Sequence, residues 1–245
     1  MERFVIAGTQ RTGTSLIEST LDSHPDIRCL SEVYIFRKGH GKSTEGSYRQ
    51  FINQRRFVRR IAHHIARPLL VRAHLDQLYQ SYDVKATGFK FMLSQARHFP
   101  ETTHYLQENQ VKILHVVREN VLKTLASRIA AKTRKLYHSE GTVEVEKIYI
   151  PPRRLLKRLE KIQDETRQWR QIALGNPYVE VSYESFLADR EQALKNSLEF
   201  IGVEYGASMF STLRKINPDK LSDVIKNFDE VTRLLVGTKY EIFLD

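Results

Sequence analysis

Cysteine is almost absent. Cys29 stands alone in 245 residues, which excludes an internal disulfide and any cysteine-built metal site and leaves it the role of a small core residue. No run approaches the roughly 20 consecutive apolar residues of a membrane span, and the first apolar stretch opens at Arg3, leaving no room for a cleaved leader. The expectation is a cytoplasmic chain without a transmembrane segment. Low-complexity runs, internal repeats and interdomain linkers are also missing, so residues 1–245 are expected to form one domain. There is no HExxH and no acidic pair at ligand spacing, so no metal is expected. Negative charge is the scarcer sign, with 29 Asp and Glu against 39 Lys and Arg, for a net charge of +10. That balance points to an anionic partner: a nucleotide, a nucleic acid, an anionic lipid or an acidic glycan.

What is present is an alternation of apolar runs with helical patterns, the mark of an α/β fold in which helices flank a parallel sheet. "RFVIAG", "IRCLSE", "TGFKFM", "VKILHVV" and "YVEVSY" read as strands. "TSLIESTLDSH", "ENVLKTLASRIAAKT" and "REQALKNSLEFIGV" read as helices, and Pro151 and Pro152 launch another whose Leu155, Leu159, Ile162 and Trp169 share one face. Residues 34–82 lack a strand pattern and are rich in base, Arg55, Arg56, Arg59 and Arg60 among them. They read as a helical insertion toward an acceptor, a solvated face or a surface for self-association.

The first strand runs into "GTQRTGTSLI", which nearly spells the Walker A loop GxxxxGK[ST]. Gly8 and Gly13 are correctly spaced, yet Thr14 stands where that pattern requires lysine. The glycines let the chain turn so that amides converge, and the following helix adds positive potential for an anion. Thr12, Gly13, Thr14 and Ser15 would supply those amides, and Arg11 puts a cation inside the loop. A magnesium triphosphate site also needs the lysine and an acid at the end of a neighbouring strand. Here "VKILHVV" ends in Arg118 instead. The loop therefore suits one phosphate held without a metal.

On these residues the chain resembles the sulfotransferases that use 3′-phosphoadenylyl sulfate (PAPS), in particular the bacterial carbohydrate and tyrosylprotein branch. "GTQRTGTSLI" is similar to their 5′-phosphosulfate loop, and "HVVRENVLKTLASRI" to their 3′-phosphate motif, which assigns Arg118 and Ser127 to that phosphate. A guanidinium at a strand end and a hydroxyl two turns into the next helix can converge on one anion. "SHPDIRCLSE" resembles the stretch that carries the general base, implying Glu32 for that role, and "VEVSYESFLADREQALKNSLEFIGV" resembles a late unit whose tyrosine, here Tyr183, approaches the nucleotide. The resemblance implies PAPS as donor, adenosine 3′,5′-bisphosphate (PAP) as product, catalytic roles for Arg11 and Glu32, and no metal. Arg11 stands where many relatives have lysine. No clear copy of a glycine- and lysine-rich closing loop follows, only "VGTKYEIF" with Lys239.

The implied acceptor is a hydroxyl on a carbohydrate, glycolipid or small metabolite. His115, inside a strand, reads as core, and His40, in a glycine-flanked turn, is the reserve base. Two other readings remain open. A P-loop nucleotide or sugar kinase would explain the loop alone. A nucleic-acid-binding protein would explain the charge alone, but lacks the interleaved aromatics of a stacking platform, so no nucleic-acid partner is expected.

Overall fold

The computed structural model describes residues 1–35, 45–54, 66–134, 146–206, 209 and 220–244. His40 and the basic residues Arg55, Arg56, Arg59 and Arg60 lie outside them. In chain order the elements are β1 (Glu2–Gly8), α1 (Thr14–Leu21), β2 (Ile27–Glu32), α2 (Tyr48–Gln54), α3 (Arg67–Gln80), β3 (Ala86–Met92), α4 (Leu93–His98), α5 (Pro100–Glu108), β4 (Lys112–Val117), α6 (Val121–Arg134), α7 (Leu155–Ile172), β5 (Tyr178–Ser182), α8 (Tyr183–Ala188), α9 (Arg190–Ile201), α10 (Leu221–Val224) and α11 (Phe228–Leu235).

All five strands run parallel in the order β2-β3-β1-β4-β5. Apolar runs without alternation go to the middle, where both faces are covered. Every residue of β3 is buried, and β1 is buried from Phe4 to Gly8. On one face Val5, Ala7, Phe89 and Phe91 pack with α2 to α5 and Trp169; on the other Phe4, Ile6, Leu114 and Val116 pack with α1, α8 and α9. The connections leaving β1 and β3 thus depart to opposite faces. In open α/β sheets the carboxyl end of the strands, where such connections diverge, is where ligands bind.

The stripe Leu155, Leu159, Ile162 and Trp169 is the buried face of α7. Its upper part joins α6, α10, α11 and Ile148 and Ile150 in a further core away from the sheet. Within the described part of residues 34–82, α2 and α3 are helices and no strand occurs. Sequence patterning did not resolve α4, α5, α10 or α11, because they are short or weakly amphipathic. No helix of the described residues is long and apolar enough to cross a membrane.

Candidate active site

The loop after β1 holds two residues in the left-handed region, Arg11 (φ 69°) and Gly13 (φ 99°). Alternating handedness turns successive N–H groups into one concavity. At Gly13 only glycine serves: a Cβ there would lie 2.3 Å from the Tyr183 ring. Arg11 adopts the same region at a steric cost of about 1–2 kcal/mol, so its surroundings must hold it there. Among the described residues the N–H groups of Thr12, Gly13, Thr14 and Ser15 donate no hydrogen bond. Four donors aimed into one turn at a helix start fit an anion.

Cations converge on the same turn. Arg11 Nε donates to Ser127 Oγ at 3.0 Å, and Arg118 Nη1 approaches the Arg11 carbonyl at 3.4 Å. Arg118 lies over the Tyr183 ring, 4.9 Å from its centroid. Its Nε is buried without a hydrogen-bond partner among the described residues, with the Glu184 carboxylate 3.9 Å away. Burial lowers the pKa of both guanidinium groups, and for Arg11 the charge of Arg118 lowers it further. Burial also raises the Tyr183 phenol, against the pull of Arg118. Two desolvated guanidinium groups side by side and an orphaned N–H form a site that an incoming phosphate would relieve.

The missing Walker lysine has a counterpart in space. Lys90, on β3, is buried, and its Nζ lies 3.1 Å from Ser15 Oγ, 2.8 Å from Glu18 Oε2 and 3.9 Å from Glu32 Oε1. Glu32 reaches this face through an irregularity. Leu30 pairs with Phe89, but Glu32, not Ser31, pairs with Lys90. A bulge of this kind re-aims a side chain; regular pairing would send Glu32 to the opposite face. Gln95 then orients the carboxylate, donating to Glu32 Oε2 at 2.8 Å while accepting from the Met92 amide at 3.1 Å.

Arg11, Thr12, Gly13, Thr14, Ser15, Arg118, Ser127 and Tyr183 thus surround one turn, and Glu32 stands beyond Lys90 on the same sheet face. The Thr12 hydroxyl donates to the Thr9 carbonyl at 2.9 Å, so its amide is what remains for a ligand. Ser127 and Arg11, assigned to different phosphates, bond to each other. His115 is buried, with Nδ1 2.8 Å from the Tyr178 hydroxyl. Lys239 lies over the Tyr240 ring, and the Phe243 carbonyl accepts from Asn120 Nδ2 at 3.1 Å, so the C-terminal turn docks beside the start of α6. Sequence reasoning missed Lys90, Gln95 and Glu184. For Lys90 the signal was present as a charge in the middle of the apolar run "TGFKFM", a placement that burial permits only with partners.

A crystal structure of a sulfotransferase from Alicyclobacillus acidocaldarius aligns at 16% identity over 96% of this chain and 94% of that one, with a TM-score of 0.48. A mouse sulfotransferase complexed with PAP aligns at 11% identity over 99% and 74%, with a TM-score of 0.47. The sulfotransferase domain from the curacin biosynthetic pathway aligns at 12% identity over 84% and 76%, with a TM-score of 0.52, a likeness of fold. No curated protein sequence matches the chain. The model of the sulfotransferase family matches residues 3–207, and by that match the chain belongs to the sulfotransferase family, the PAPS-dependent enzymes of sulfuryl transfer.

Proposed function

We propose that residues 1–245 act as one sulfotransferase domain that moves a sulfuryl group from PAPS to a hydroxyl of a carbohydrate, glycolipid or small metabolite, with residues 34–82 on the acceptor side. The amides of Thr12, Gly13, Thr14 and Ser15 hold the 5′-phosphate, and Arg11 neutralises it as it leaves. Arg118 and Ser127 hold the 3′-phosphate beside the Tyr183 ring. Glu32 takes the proton of the acceptor hydroxyl, and Lys90 links that carboxylate to the loop through Ser15. In the transfer the sulfur–oxygen bond to the 5′-phosphate breaks and one to the acceptor oxygen forms, so the work of the protein is positioning and charge stabilisation.

One observation carries the reading. Two largely desolvated guanidinium groups, Arg11 and Arg118, stand together at a turn whose four amides donate no hydrogen bond among the described residues. This arrangement is costly unless two phosphate groups complete it.

Thermal unfolding with ligands tests it. PAP should raise the melting temperature well above the shift given by ATP with magnesium. Arg118→Ala should lose about 1.5–3 kcal/mol of PAP affinity, the range for a hydrogen bond to a charged group, while 5′-AMP affinity stays as in the wild type. Magnesium-dependent stabilisation by ATP in preference to PAP would identify a kinase instead.

A further inference from the structure

The left-handed Arg11 is held by its neighbours, and the hydrogen bonds identify the holder. Arg128 follows Ser127 on α6 and has no place among the phosphate ligands above. Its Nε donates to the Gln10 carbonyl at 3.0 Å, and its Nη2 lies 3.0 Å from Thr9 Oγ1 and 2.7 Å from Glu165 Oε2. One planar guanidinium therefore locates two consecutive loop residues at once, which a flexible ammonium cannot do with the same geometry. The carboxylate that braces it is on α7 and largely shielded from solvent, at 12% exposure. One turn further along α7, Trp169 Nε1 donates to the Gly8 carbonyl at 2.8 Å. A single face of α7 thus fastens Gly8 directly and Thr9 and Gln10 through Arg128.

The bond to Gln10 has a consequence for the phosphate side. In a trans peptide the C=O and N–H point in opposite directions. Drawing the Gln10 carbonyl toward Arg128 turns the Arg11 N–H the other way, and the left-handed Arg11 then returns the chain so that the following amides line the concavity. Its own carbonyl faces Arg118. The Gln10 carbonyl, which could spoil an anion site, is thus turned toward Arg128 and away from the concavity.

We propose that Arg128, braced by Glu165, is a positioning residue that sets the anion-binding conformation of the loop at residues 9–13. It acts through the backbone and touches no phosphate. The inference rests on the assignment of the loop to a 5′-phosphate and of Arg118 and Ser127 to a 3′-phosphate.

Calorimetric titration with PAP, 5′-AMP and 3′-AMP separates a local role from a general one. Arg128→Ala should weaken PAP and 5′-AMP at least about tenfold and leave 3′-AMP as in the wild type, because only the 5′-phosphate uses the loop amides. Arg128→Lys keeps the charge and should still lose most of the 5′-phosphate affinity. Glu165→Gln keeps the size and one acceptor oxygen, and should show a smaller loss of the same kind should the alanine variant not fold. Equal losses for 5′-AMP and 3′-AMP would make Arg128 a general packing residue and overturn the proposal. Full 5′-phosphate affinity in Arg128→Lys would reduce its role to charge and overturn it too. A wild-type protein that binds neither PAP nor 5′-AMP would refute the donor assignment itself and the proposal with it.

Discussion

At the scale of the residue, Glu32 shows how one extra position in a strand decides which face a carboxylate occupies. Its place at the end of "IRCLSE" was legible, since an acid follows an apolar run. The bulge that pairs it with Lys90 was not, because a register shift leaves no trace in hydrophobic patterning. Gln95 and Lys90 hold the carboxylate on the loop side, so its removal as a base should affect chemistry and spare donor binding. General-base assistance is worth about 10²–10⁴ in rate. Glu32→Gln is therefore expected to turn over at least about a hundredfold more slowly while PAP raises its melting temperature as in the wild type. Wild-type turnover of this variant across the range of about pH 6–9 would assign the base elsewhere.

At the scale of the element, α7 is both a core helix and the backing of the loop. The stripe Leu155, Leu159, Ile162 and Trp169 was readable at helical spacing, since apolar periodicity reports which face is buried. Where the indole N–H goes was not readable, because its acceptor, the Gly8 carbonyl, is 161 residues away in sequence. Trp169→Phe retains a buried ring and removes the donor, leaving that carbonyl unpaired in the core. The expected cost is about 1–3 kcal/mol of stability, read as a lower denaturant midpoint at unchanged slope. A midpoint equal to the wild type would mean that the Gly8 carbonyl finds another partner. The same element explains why Arg128 escaped notice. On α6 it reads as one more basic residue on a helix, and only the packing of α6 against α7 brings Glu165 and the loop to it.

At the scale of the whole molecule, the buried His115 ties folding to pH. Burial pushes its imidazole down to about 4, against the opposing pull of Glu180, while an unfolded chain titrates near 6.5. The folded form keeps the ring neutral where the unfolded chain binds a proton. The contribution is therefore fully present above about pH 6.5 and is lost as pH falls through about 4, to the extent of about 3 kcal/mol. Glu180, held down to about 2 chiefly by its hydrogen bond from Arg170, titrates in a lower window. Denaturant unfolding at a series of pH values should show stability declining over that range in the wild type and a flatter profile in His115→Gln. Identical slopes would assign the decline to other groups. The sequence by itself determined the α/β class, the order of strands along the chain and the glycine-bracketed loop after β1, because hydrophobic periodicity and glycine spacing are local properties of the chain. It also carried the residues of the proposed second phosphate motif, Arg118 and Ser127, as a strand end and a helix position. Only the tertiary structure decided that β3 lies beside β1 and brings Lys90 to Ser15, that the bulge turns Glu32 toward that lysine, and that α6 and α7 close on the loop from behind. Those contacts join residues far apart in the chain, and packing selects them through burial and hydrogen-bond satisfaction, which no local pattern encodes.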